Sequence, residues 1–82
     1  MNLYLISQNT NQNYDTYDSA IVAARTNKEA RMIHPSDLYN DWDGKDKPYG
    51  SWVAFEDVKV KLIGVAKLGT KSGVILASYN AW

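Results

Sequence analysis

The chain has 82 residues, no cysteine, and nine basic side chains against nine acidic ones, for a formal net charge of zero. That length admits one domain, which buries only about 60–65% of the surface its unfolded chain exposes and has a thin stability margin. Without cysteine there are no disulfides and no thiolate metal site, which favours the cytosol; the charge balance argues against a nucleic-acid partner and leaves self-association into a homo-oligomer open.

Apolar runs such as residues 20–24 and 74–77 fall far short of the roughly 20 residues a membrane span needs. The start "MNLYLISQ" has neither the basic opening nor the long apolar stretch of a signal peptide, so the chain reads as a mature protein with no membrane partner.

Residues 2–8, "NLYLISQ", carry apolar side chains on both alternating sets, which predicts a strand with one buried and one partly covered face. "NTNQN", residues 9–13, is a polar turn; Asn bonds to nearby backbone and tolerates left-handed conformations. A second strand is expected over about residues 18–24, its small side chains letting another element pack close.

At residues 26–29, "TNKE" has the spacing of a capping box: the Thr26 hydroxyl accepts from the Glu29 amide and the Glu29 carboxylate reaches back. A helix of about two turns follows through "NKEARMIH", with Ala30 and Ile33 on the inner face. Pro35 ends it, because the residue before a proline is pushed out of helical geometry. So short a helix is unstable alone and must pack on the sheet.

Residues 36–51, "SDLYNDWDGKDKPYGS", form the longest irregular stretch, of a kind often functional or mobile in a compact domain. "DVKVKLIGV", residues 57–65, alternates Val58, Val60 and Leu62 against Lys59 and Lys61, which predicts a half-buried antiparallel strand, its edge protected by charge. After the loop "KLGTKSG", residues 73–81 supply a last strand, expected to form a hairpin with the strand before it. The whole reads as an α+β domain: a small antiparallel four-stranded sheet in the order β-β-α-β-β, with one short helix packed on one face.

Catalytic and metal signatures are missing. No Walker loop, G-x-G-x-x-G, H-E-x-x-H or G-x-S-x-G occurs. His34, the sole histidine, sits in the expected last helical turn, where partial positive charge suits the helix dipole, and no partner nucleophile or acid is identifiable. "DWDGKD" does not keep the spacing of a calcium loop and reads as a solvated turn. Asp15 and Asp18 read as turn caps ahead of a proton-sharing pair. The expectation is therefore a non-enzymatic protein without cofactor or metal.

The aromatics are the remaining candidates for contact. Tyr14, Tyr17, Tyr39, Trp42, Tyr49 and Trp52 all lie in or beside expected loops. Such rings either close a small core or anchor a contact, since Tyr and Trp bring large apolar area with a polar tip. "YDTYD", residues 14–18, therefore reads as a turn whose rings lid the core or make a recognition edge with the long loop. The candidate binding residues are Tyr14, Tyr17, Trp42, Tyr49 and Trp52 as anchors, with Asp15, Asp18, Asp41 and Asp43 steering toward a basic surface. An RNA-binding sheet is disfavoured, because no RRM motif occurs and Lys and Arg do not gather near the rings.

At "LYLISQNTNQNYDTYDSAIVAA", "HPSD", "VKVKLIGVA" and "GVILASYNA" the chain resembles a group of small, uncharacterised proteins encoded by bacteriophages and prophages. The resemblance spans nearly the full length and transfers no catalytic signature. It implies an accessory protein made in the cytoplasm of a bacterial host cell. Many such proteins bind and block a host bacterial protein or complex, including CRISPR and other defence systems, so the leading expectation is an anti-defence, anti-CRISPR-like inhibitor. The alternatives are an oligomeric sponge for a small nucleotide signal, with Lys59, Lys61, Lys67 and Lys71 meeting phosphates, and a virion structural or assembly accessory.

Overall fold

A strand without charge, and one whose single charge lies near its start at Asp18, can be flanked on both edges, and here they are. β1 (Asn2–Ser7) and β2 (Thr16–Ala24) form the centre of the sheet. They pair antiparallel, with Tyr4 opposite Val22 and Ile6 opposite Ala20. β3 (Lys59–Val65) adds to the free side of β1 and β4 (Gly73–Asn80) to that of β2, both antiparallel, in the order β3-β1-β2-β4. One short helix, α1 (Asn27–Arg31), lies between β2 and β3 in the chain. The structure, a computed structural model, describes residues 1–10, 16–36 and 52–80. The expected α+β fold, a four-stranded antiparallel sheet with one helix on one face, is the fold observed.

The expected β3–β4 hairpin does not form. β3 and β4 occupy opposite edges, and residues 66–72 carry the chain across the end of the sheet, past the start of β1 and the end of β2. The physical reason lies in the central pair. β1 has no charged side chain and is paired on both sides, whereas the exposed Lys59 and Lys61 suit β3 to an edge. The connection is held at its start by the Ala66 amide, which donates to the Met1 carbonyl at 2.9 Å. It then turns at Lys67–Thr70, where the Thr70 amide donates to the Lys67 carbonyl at 3.0 Å. Gly69 supplies the φ of +91° that this turn demands at its third residue, a conformation costly for any side chain.

The helix is shorter than its sequence pattern implies. Its cap forms as expected on the hydroxyl side, with the Glu29 amide donating to Thr26 Oγ1 at 3.1 Å. The helix stops at Arg31, and the Met32 and Ile33 amides close onto Glu29 and Ala30 with tighter three-residue bonds. Pro35 thus acts over several residues: with His34 barred from helical geometry, the preceding turn winds down early.

Ala20, Val22 and Ala24 of β2, Tyr4 and Ile6 of β1, and Ala30 of α1 make one face of the core. The small side chains let α1 sit close to the sheet, as the sequence of β2 implies. Three alanines leave volume unfilled, however, and Trp52, Val53 and Val58 supply it from the segment leading into β3. That segment includes a 3₁₀ turn (Phe55–Asp57). The expected inward alternation of β3 fades along its length: Val58 is buried and Val60 partly so, but Leu62 is 58% exposed. A register shift follows, with Leu62 opposite Tyr4 and Gly64 opposite Leu3, so Ile63 is the extra residue of a bulge.

Arg31 pins the helix to the β3 lead-in. Its Nη1 donates to the Phe55 carbonyl at 3.1 Å and also to the Val58 carbonyl. Charge-assisted bonds of this kind contribute about 1.5–3 kcal/mol where the acceptors have no other partner, and less at a partly solvated site. Arg31→Met keeps the aliphatic stem and removes both donors. It is expected to lower unfolding free energy by about 1–2 kcal/mol in a urea titration. An unchanged midpoint would show that water serves those carbonyls equally well.

Candidate binding surface

β2 begins at Thr16, two residues before the expected start, and this places "TYD" in the sheet rather than in a turn. The chain gains its grip there from Gln8, whose Nε2 donates to the Tyr17 carbonyl at 3.0 Å and whose amide donates to the Asp18 carbonyl at 3.2 Å. Against β4, Tyr17 is opposite Tyr79 and Ser19 is opposite Ser78, so Asp18 is the extra residue of a bulge. Bulges turn a side chain out of the regular pleat and are frequent where a sheet meets a ligand. Asp18 is exposed.

Around that bulge three rings cluster. Tyr17 and Tyr79 meet edge to face with centroids 4.7 Å apart and planes at 62°. Tyr17 also meets the His34 ring at 6.3 Å and 85°. Tyr17 packs one side against the core, while Tyr79 is 45% exposed. Of the two roles expected for the rings of "YDTYD", the second tyrosine, Tyr17, takes both: it packs on the core and backs an exposed ring on the neighbouring strand.

Of the two roles open to His34, a helix cap or a structural residue, the structure shows the second. The helix ends before it, the ring is buried, and Nδ1 accepts from the Ser36 amide at 3.0 Å. Burial lowers its pKa from 6.5 to about 4, so the ring is neutral at physiological pH. It is a structural acceptor under Tyr17.

β4 continues the surface. It carries no charged residue, and Ile75 and Leu76 are 53% and 65% exposed. Ile21 is opposite Leu76 and Val22 opposite Val74, so Ile75 is bulged as well. On the face opposite α1, a shallow groove of about 300 Å³ runs between β2 and β4, lined by Leu5, Ser19, Ile21, Leu76 and Ser78 among others. Among the described residues no helix covers this face.

The predicted site residues thus divide. Tyr17 and Asp18 stand together at one end of β2. Trp52 is a correction: it is 2% exposed, a core ring rather than a contact anchor, because the alanine-rich β2 and α1 need its volume. Tyr14, Asp15, Asp41, Trp42, Asp43 and Tyr49 lie outside the described residues, as does Tyr39. Tyr79, Ile75 and Leu76 are surface residues that the sequence reading assigned only to a strand. The signal available for them was the neutrality of "GVILASYN", which in an edge strand leaves apolar side chains facing water. Lys59 and Lys61 are exposed on β3, and Lys67 and Lys71 are exposed in the connection.

Among the described residues no three histidines or carboxylates gather as a metal site, and no helix is long and apolar enough to cross a membrane. The fold and surface define a small α+β domain with an exposed aromatic–apolar edge. Set against family models, curated proteins and solved structures, the chain finds no match in any of the three.

Proposed function

We propose that this protein is a non-enzymatic binding protein that blocks a host bacterial protein, in the manner of a small phage accessory protein directed at a defence complex of the CRISPR type and acting in the host cytoplasm. The observation that carries the reading is the juxtaposition of an exposed tyrosine, Tyr79, with the bulged Asp18 and the uncharged, exposed flank of β4. A ring braced by Tyr17, which is itself backed by His34, loses little side-chain freedom on contact. Apolar area with one acid at its margin suits a protein surface that presents an apolar pocket beside a basic residue.

The test compares the intact chain with Tyr79→Ala and Asp18→Lys, both at exposed positions, for capture of one host protein and for rescue of phage plating on a defence-proficient host. Loss of an anchor ring at a contact typically weakens binding by about tenfold or more. We expect both variants to stay folded by circular dichroism, to retain the captured protein at least that much more weakly, and to lose the rescue. If both capture and rescue survive the two substitutions, this surface is not the inhibitor's contact.

A further inference from the structure

Among the described residues β3 and β4 are the outer strands of the sheet, and they are built differently. β3 carries Lys59 and Lys61, both exposed. Lysines on an edge strand discourage a second strand from pairing there. β4 has no such guard: from Gly73 to Asn80 it holds no charge and no proline, and its only irregularity at the β2 side that lies within β4 itself is the bulge at Ile75. Its outer edge has no neighbouring strand among the described residues. An edge strand presents a row of backbone donors and acceptors, and one without charge is a template for another strand.

Which strand fits follows from symmetry. A two-fold interface brings the same patch of both subunits together, so the patch must tolerate its own copy. β4 does, in any antiparallel register, because every residue it presents is neutral. β3 does not, since self-pairing would gather four lysines, two from each copy, along one seam. The chain as a whole has zero net charge and so lacks long-range repulsion between copies. We propose that a second copy of this chain is the partner of β4: two protomers join edge to edge and antiparallel across a two-fold axis, extending the four-stranded sheet to eight strands.

In that arrangement Ile75, Leu76 and Tyr79 lie at or beside the seam, so self-pairing and the host contact proposed at Tyr79 and the β4 flank exclude one another, and the grooves between β2 and β4 of the two copies lie on the same face of one continuous sheet. Asp18 and Tyr17, one strand further in, stay clear of the seam on each protomer. An edge of eight residues is a small contact, short of the roughly 800 Å² per partner of a standard complex. The dimer is therefore reversible and concentration-dependent.

Sedimentation equilibrium of the full chain, from micromolar to millimolar, tests this. The expected result is a weight-average mass that rises from 9.2 kDa toward twice that value. The double variant Ile75→Lys, Leu76→Lys is expected to stay at 9.2 kDa throughout, while Val65→Lys, at an exposed site on β3, leaves the rise unchanged. As a measurement that needs no variant, amide exchange of residues 73–80 should slow with rising concentration while that of residues 59–65 does not. A constant monomer mass overturns the proposal and leaves the edge to a strand of another protein. Dimerisation that survives the double variant, or that fails in Val65→Lys, overturns it as well. Mass and exchange report self-pairing whether or not any host protein binds, so failure here is separable from failure of the inhibitor reading.

Discussion

Trp52→Ala is expected to leave little folded protein. The indole is sealed in the core beside Tyr4, Val22 and Ala30. Removing a large ring from such a site costs about 3–5 kcal/mol, because the lost apolar contact is joined by a cavity that the surroundings fill only in part. A domain of this size sits near the low end of the usual range of about 5–15 kcal/mol, so the loss takes most of its stability. The neighbours cannot collapse inward easily, since Ala20, Ala24 and Ala30 have no side chain to extend. Trp52→Phe is the informative companion. Trp52 Nε1 is buried without a hydrogen-bond partner among the described residues, and a buried donor in that state costs about 1–3 kcal/mol. Phe loses volume but also removes that donor, so the two effects oppose one another. The expected result is a drop of about 1 kcal/mol or less in urea unfolding for Phe against near-complete unfolding for Ala. Comparable losses in the two variants would mean that the indole N–H is satisfied and that the ring's volume alone matters.

The second large effect is on the pH dependence of stability. His34 is held neutral, its pKa lowered by burial from 6.5 to about 4, and Nδ1 is occupied as the acceptor of the Ser36 amide. The unfolded chain takes up a proton on this ring as pH falls below about 6.5, whereas the folded chain resists until about 4. Between those values the unfolded state binds more protons, so folding stability falls as pH falls. Above pH 7 His34 contributes no slope, and below pH 4 its penalty is complete. Allowing for some solvent access to the ring, the loss is on the order of 2 kcal/mol. Protonation also removes the acceptor from Ser36, which ties the penalty to the local fold after α1. His34→Gln keeps an acceptor and cannot titrate. Urea titrations at intervals from pH 7 to pH 4 should show the natural chain losing stability relative to this variant, with the gap opening below about pH 6.5. Two curves that run parallel over that interval would show that the ring protonates as easily folded as unfolded.

The same ring shows where sequence reasoning stops. A helix reaching Pro35 leaves two readings of His34 open, a cap for the helix end or a structural residue. The helix ends at Arg31, so no dipole terminus lies at His34, and the buried ring instead meets Tyr17 and accepts from Ser36. Trp52 failed for a related reason. Its neighbours in sequence are loop-like, but its neighbours in space are alanines, and a shortage of core volume is a property of the assembled fold. Tyr17 and Asp18 were legible as a polar–aromatic pair ahead of a buried strand; that Tyr79 would stand against Tyr17 depends on β4 pairing with β2, which no local pattern specifies.

Local chemistry in the sequence by itself determined the four strands, the Thr26 cap, the turn at Gly69 and the choice of an α+β sheet with one helix. Each rests on interactions among residues close in the chain, or on the alternation of apolar and polar side chains along a strand. Only the tertiary structure decided which strands lie at the edges, that the core claims Trp52, and that the uncharged strand is an outer one among the described residues. Those outcomes arise because backbone pairing and core volume are satisfied across the whole domain at once, and a strand's own side chains do not say which neighbour will meet them.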